Sequence, residues 1–95
     1  MKIIWTPQAL KDRSDIWDFI SADNPIAASD LDDTFSIAVS RLAEHPLLGR
    51  HGHVEGTREL IVHPNYRLVY EMTSEVVWIL ALVHTARQWP LAYRR

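Results

Sequence analysis

The second half of the chain carries side chains that could bind or cleave a nucleic-acid backbone. Arg58, Arg67, His84 and Arg87 stand among mostly apolar neighbours in the segment 56–90. A guanidinium binds a phosphate through two parallel hydrogen bonds, and an imidazole exchanges protons near neutral pH. Cleavage of RNA through its own ribose hydroxyl needs a base, an acid and cations around the phosphate, without a metal ion. We therefore take Arg67 and His84 as candidate catalytic residues, and Arg58 and Arg87 as candidate substrate-binding residues.

Each of these residues also has a structural interpretation. Arg67 could pair with Glu59 or Glu71, because opposite charges on adjacent strands are common. His84 could hydrogen bond to the backbone at the end of a sheet, and the other two arginines could be solvated or paired with carboxylates. The sequence leaves both interpretations open and does not show whether Arg67 and His84 meet.

The chain offers few other reactive groups. It has no cysteine, which excludes disulfides and thiolate catalysis. His51 and His53 form a His-x-His pair, but they lie in a glycine-rich stretch with only Glu55 as a nearby acid. A protein metal site usually needs a fuller set of His, Cys or carboxylate ligands. The sequence therefore predicts no metal site and no cofactor.

The charges are divided unevenly along the chain. Residues 1–48 hold four Lys or Arg and eight Asp or Glu, whereas residues 49–95 hold six Arg and four Glu. The net charge of −2 and the pI near 6.2 argue against a protein that coats nucleic acid by bulk attraction. Any contact with phosphate would therefore be local and made by arginines of the second half.

Length and composition limit the architecture. The chain has 95 residues, of which 47% are hydrophobic, and this suits a single domain, residues 1–95, with one core. The first ten residues lack the long apolar stretch of a signal peptide, and no stretch approaches the length of a membrane span. We therefore expect a cytoplasmic protein that does not bind a membrane.

Two helices should follow a short first strand at Lys2–Trp5. Thr6 before Pro7, and Asn24 before Pro25, are helix start signals, because each pairs a capping side chain with a proline at the first helical position. Apolar residues then recur at helical spacing. The first predicted stripe is Leu10, Arg13, Ile16, Trp17 and Ile20, with Asp12, Asp15 and Asp18 on the wet face, and the second is Ala28, Leu31, Phe35, Ala38 and Leu42.

Three strands should follow a loop at Leu47–Gly56. Thr57–His63, Tyr66–Met72 and Glu75–Val83 are rich in β-branched and aromatic residues and are separated by short turn segments. Strict alternation would place His84 on one strand face with Trp78, Leu80 and Leu82. The predicted fold class is α+β, in the order β-α-α-β-β-β, with a helical hairpin packed on one face of a small, mainly antiparallel sheet.

These segments, in this order, resemble the toxins of the RelE/ParE superfamily, the toxic components of bacterial type II toxin-antitoxin systems. The similarity covers almost the whole chain, from the first strand through the phrases LAEHPLLG (Leu42–Gly49), GTREL (Gly56–Leu60), YRLVY (Tyr66–Tyr70) and VHTARQWP (Val83–Pro90). The resemblance implies a RelE/ParE-like fold over residues 1–95. It also implies a growth-inhibiting activity and a cognate antitoxin, whose acidic or amphipathic tail would complement the basic second half.

The resemblance implies two alternative targets. RelE-like members cleave mRNA in the ribosomal A site, and Arg67 in the YRLVY phrase matches an arginine that contacts the scissile phosphate there. ParE-like members inhibit DNA gyrase without a nuclease site, and the Val83-His84 pair resembles their ending. The chain lacks the lysine cluster and the strongly basic charge of RelE-like toxins. We expect a metal-independent endoribonuclease that cleaves mRNA on the ribosome, with inhibition of DNA gyrase as the alternative.

Overall fold

The computed structural model describes residues 1–90, which form a helical hairpin and one sheet. The elements are β1 (Lys2–Trp5), α1 (Pro7–Ser21), α2 (Pro25–Glu44), β2 (Arg50–His51), β3 (Thr57–His63), β4 (Tyr66–Met72) and β5 (Val76–His84). The sheet has the strand order β1-β5-β4-β3-β2. Strand β1 runs parallel to β5, and all other neighbours are antiparallel. The predicted α+β fold is confirmed.

Both helices begin at the predicted caps. Thr6 Oγ1 accepts a hydrogen bond from the N–H of Ala9 at 3.2 Å, and Asn24 Oδ1 accepts one from the N–H of Ala27 at 3.1 Å. Each cap satisfies a donor that the first helical turn leaves free and contributes about 1 kcal/mol. No helix within residues 1–90 is long and apolar enough to cross a lipid bilayer.

The core lies between the helical hairpin and one face of the sheet. Phe35 of α2 is 1% exposed and meets the ring of Tyr66 edge-on, with the ring centroids 6.1 Å apart. Among residues 1–90 no helix covers the opposite face of the sheet, and a smaller apolar cluster covers part of it. The main core contains Ala9, Leu31, Phe35, Val39, Leu42, Leu68, Tyr70, Val77, Ile79 and Leu82, and the smaller cluster contains Val69, Ala81 and Val83.

A bulge in β5 changes the predicted strand faces. Val69 pairs with Ala81 and Tyr70 pairs with Ile79, so Leu80 is an extra residue without a partner on β4. An extra residue reverses the alternation beyond it. The prediction that Trp78 lies on the same face as His84 is therefore wrong. The loop 47–56 also differs from the prediction, because it contains the two-residue strand β2.

The exposed side of α1 differs from the predicted wet face. Leu10 and Trp17, which the helical spacing assigned to the apolar stripe, are 53% and 40% exposed. Asp12, assigned to the wet face, instead accepts a hydrogen bond from the N–H of Leu82 at 3.1 Å. This N–H lies close to the bulge in β5, where α1 packs and where a buried donor needs an acceptor. Asp12 therefore joins α1 to β5.

Candidate functional site

The two candidate catalytic side chains lie on opposite faces of the sheet. Arg67 pairs with Val83 across β4 and β5, and the next pair is Tyr66 with His84. Neighbouring residues of a strand point to opposite faces. Since Tyr66 contacts Phe35 in the core, His84 shares the helix-covered face, and Arg67 lies on the open face. The side chains of Arg67 and His84 therefore do not converge on one phosphate.

The guanidinium of Arg67 holds the backbone that follows β5. Nη1 donates hydrogen bonds to the carbonyl oxygens of His84 and Thr85, both at 3.3 Å. Nη2 donates to the carbonyl oxygen of Arg87 at 2.7 Å. The same backbone segment continues to Trp89, which packs on the smaller apolar cluster of this face. The hydrogen bonds of Arg67 thus hold the backbone of the segment 84–89 against the open face.

Glu59 neutralises Arg67. Its Oε1 lies 3.1 Å from Arg67 Nε, and the two side chains are only 7% and 10% exposed. The Nε–H is not directed at a carboxylate oxygen, so the contact is an ion pair without a well-formed hydrogen bond. Arg50 Nη2 lies 3.9 Å from the same oxygen, but the Arg50 side chain is mostly exposed. The charge of Arg67 is therefore balanced within the fold, and its nitrogens face protein groups.

His84 and Arg87 line a groove of about 780 Å³ between α1 and the end of β5. The His84 ring meets Tyr66 edge-on, with the centroids 5.6 Å apart. Its Nδ1 accepts a hydrogen bond from the backbone N–H two residues later at 3.1 Å, so a neutral ring carries its proton on Nε2. Asp12 and Asp15 line the same groove. Asp15 is paired with Lys11 at 2.7 Å, and the negative charge of Asp12 opposes the binding of a phosphate there.

Arg58 hydrogen bonds to the loop that precedes β2. Its Nη1 donates to the carbonyl oxygen of Gly49 at 2.6 Å and reaches that of Leu47 at 3.5 Å. The Tyr70 hydroxyl donates to the carbonyl oxygen of Pro46 at 2.7 Å and accepts from the N–H of Gly49 at 2.8 Å. A Cβ on Gly49 would stand 2.8 Å from that hydroxyl, so the close approach of loop and sheet requires glycine. The position of Arg58 is explained by these loop contacts.

The ionisation of Tyr70 should make stability fall at high pH. Burial raises the pKa of the Tyr70 phenol above its usual value of 10.0, while the Gly49 N–H and the charge of Arg58 act in the opposite direction. The folded chain therefore holds this proton more tightly than the unfolded chain does. The stabilisation is complete below the unfolded pKa and is lost as pH rises through the folded pKa. Urea unfolding from pH 8 upward should show a steeper decline for the wild-type chain than for Tyr70→Phe, and parallel declines would contradict the prediction.

The four candidate residues fall into three separate places. Arg67 lies on the open face, His84 and Arg87 line the groove beside α1, and Arg58 lies under the loop before β2. Within residues 1–90, no group of three or more His, Cys, Asp or Glu is arranged to hold a metal ion. The arrangement offers surfaces that could bind a macromolecule, and it does not assemble these four side chains around one reacting group.

Two structural roles in this region had no clear sequence signal. Asp12 shares helical spacing with the acids of an exposed face, and nothing local marks it as the acceptor for a strand N–H. Tyr70 stands in a strand pattern that indicates burial, but the loop carbonyl it binds lies 24 residues earlier. Contacts of this kind depend on the packing of distant segments.

Sequence comparison finds relatives across nearly the whole chain. The family described as the ParE toxin of the type II toxin-antitoxin system, parDE, matches residues 3–89. The candidate toxin Y4kP of Sinorhizobium fredii is 36% identical over 89 residues, which are 94% of this chain and 93% of that protein. The toxin RelE2 of Caulobacter vibrioides is 35% identical over 86 residues, which are 90% of this chain and 97% of that protein.

Structural comparison finds the same fold in solved toxins. A chain of the chromosomal ParDE toxin-antitoxin system of P. aeruginosa superimposes with a TM-score of 0.76 at 22% identity, covering 88% of this chain and 95% of that one. The YoeB/ParE toxin of Agrobacterium tumefaciens superimposes with a TM-score of 0.63 at 14% identity, covering 88% and 98%. At these identities the likeness establishes the fold.

Proposed function

The chain belongs to the ParE toxin family of type II toxin-antitoxin systems, within the RelE/ParE superfamily, and we propose that it inhibits growth by binding DNA gyrase. Under this proposal the chain is a protein-binding inhibitor without a nuclease site of its own. Membership of the family implies a cognate antitoxin as its partner.

The separation of Arg67 and His84 is the observation that favours gyrase over mRNA as the target. Cleavage of RNA needs cationic and proton-transferring groups within hydrogen-bond distance of the same phosphate and ribose. Arg67 is instead paired with Glu59 and bonded to three backbone carbonyls on the open face, whereas His84 lies on the other face. A nuclease that used both would have to break these contacts. An inhibitor that binds a protein needs no such convergence.

The charge and the comparisons are consistent with this choice. A net charge of −2 gives no general attraction to ribosomal RNA. The matching family is named for parDE, and the ParDE chain of P. aeruginosa has the higher TM-score of the two solved toxins described above. The relatives RelE2 and YoeB/ParE carry names from both branches of the superfamily. The site geometry therefore gives the stronger support for gyrase.

A supercoiling assay tests the proposal. Purified toxin is added to DNA gyrase, ATP and relaxed plasmid, and the products are separated after detergent and protease treatment. We expect loss of supercoiling and accumulation of linear DNA, because an inhibitor that traps the cleaved enzyme complex leaves double-strand breaks. Addition of the co-purified antitoxin should restore supercoiling.

Primer extension on translated mRNA tests the alternative, in which the toxin cleaves mRNA. After induction of the toxin in cells, we expect no new mRNA ends, together with gyrase-dependent DNA breaks. New ends at translated codons with normal supercoiling would replace gyrase by the ribosome as the target. Growth arrest with neither effect would also overturn the proposal.

A further inference from the structure

The outer edge of β3 is covered by β2 along only part of its length. Strand β2 pairs with residues 58–59, whereas residues 60–63 have no strand on their outer side within the described range 1–90. Gly52 donates its N–H to the carbonyl oxygen of Thr57, so the backbone groups of Thr57 point outward. Alternation along the strand gives Ile61, four residues later, the same orientation. The N–H and C=O of Ile61 therefore face outward without a ladder partner.

Exposed apolar side chains surround this free edge. Ile61 is 53% exposed, and Ile37 of α2 and Leu48 of the following loop are 61% and 40% exposed. Ile37 and Leu48 line a hollow of about 220 Å³ between α2 and β3, whereas the Ile61 side chain shares the open face with its pair Arg67 and stands at the rim. Single exposed apolar residues are ordinary, but several grouped around one concave surface indicate a contact site.

Two exposed arginines flank this edge. The exposed Arg41 lines the same hollow, and within residues 1–90 it takes part in no ion pair. The side chain of Arg50, on the neighbouring strand β2, is 72% exposed. The nearest strand acid, Glu59, is buried against Arg67. A segment that binds here should therefore carry negative charge.

The free edge lacks most of the usual protection. Proteins blunt exposed strand edges with lysine, proline or bulges, since an open edge pairs with other chains. Strand β3 contains no lysine or proline, and its irregularity between Ile61 and His63 only limits the length of the free stretch. The edge can therefore accept a short strand.

We propose that the outer edge of β3 at Ile61 is a docking site for a short extended segment of the antitoxin, which adds a strand in line with β2. Alternate apolar side chains of the segment fill the hollow beside Ile37, and an acidic residue faces Arg41. Backbone hydrogen bonds to Ile61 supply affinity, and the hollow supplies specificity. The site requires the antitoxin and no particular toxic target, so its failure is separate from a failure of the gyrase proposal.

Amide hydrogen exchange tests the backbone contact on the complete chain. Exchange is followed residue by residue in the free chain and in the complex co-purified after co-expression with its antitoxin. We expect the Ile61 amide to exchange at least about tenfold more slowly in the complex. The Leu60 amide, which points toward β4, should be protected in both. Equal exchange of Ile61 in the two states would overturn the site, as would protection in the free chain that grows with its concentration, because a second copy would then be the occupant.

Two pairs of variants separate the backbone and charge contributions. Ile61→Pro removes the outward N–H and leaves the ladder to β4, whereas Ile61→Thr keeps that N–H. Arg41→Glu and Lys2→Glu make the same change in net charge, but Lys2 is exposed on β1, at the opposite edge of the sheet. We expect Ile61→Pro and Arg41→Glu to weaken antitoxin binding by at least about tenfold, with little effect of the matched variants. Equal affinities within each pair, in variants with wild-type circular dichroism, would contradict the site.

Discussion

Replacement of Arg67 by methionine is expected to lower the free energy of unfolding by about 3–5 kcal/mol. The substitution leaves the buried carboxylate of Glu59 without its close cation and removes the donors from three backbone carbonyls. Arg50 shields that carboxylate only from 3.9 Å and from a mostly exposed position. Urea denaturation measures the loss. Tryptophan fluorescence should also change before global unfolding, because the segment that carries Trp89 loses its attachment.

Two further variants identify the cause of that loss. Arg87→Met removes an exposed arginine from the same half of the chain and should change stability by less than about 0.5 kcal/mol. Glu59→Gln combined with Arg67→Met removes the uncompensated charge and should recover part of the loss. An Arg67→Met chain with wild-type stability and no toxicity would contradict the structural role and assign Arg67 to contact with the toxic target.

Replacement of Phe35 by alanine is expected to destabilise the fold by about 3–5 kcal/mol. Phe35 is 1% exposed, and its ring connects α2 to the sheet through the edge-on contact with Tyr66. Its removal leaves a cavity between the two layers of the molecule, and the surrounding side chains can close it only in part. Thermal unfolding and urea denaturation measure the effect.

Phe19→Ala provides the matched comparison for Phe35. Phe19 lies on α1 and is 78% exposed, so the same change in side-chain volume creates no cavity in the core. We expect a change of less than about 0.5 kcal/mol. Similar losses for the two variants would contradict the prediction, because the loss at Phe35 would then not come from a cavity in the core.

The helices and most strand boundaries were predictable because their signals are local. A capping side chain followed by proline marks the start of each helix, and the hydrogen bonds that Thr6 and Asn24 accept confirm both starts. The bounds of β1, β3 and β4 agree with the predicted strands, and β5 is shifted by one residue. Strand β2 was missed because a two-residue strand has no period of its own and forms only by pairing with β3.

The sequence alone determined the order of elements, the helical start sites, the apolar stripe that buries Phe35 and the resemblance to RelE/ParE toxins. These depend on local spacing and on phrases that are contiguous in the chain. Only the tertiary structure decided where the candidate residues lie and what they contact. The pairing register separates Arg67 from His84, and the distant partner Glu59 neutralises the arginine. Register and long-range ion pairs arise when segments far apart in the chain pack together, so no local pattern of residues specifies them.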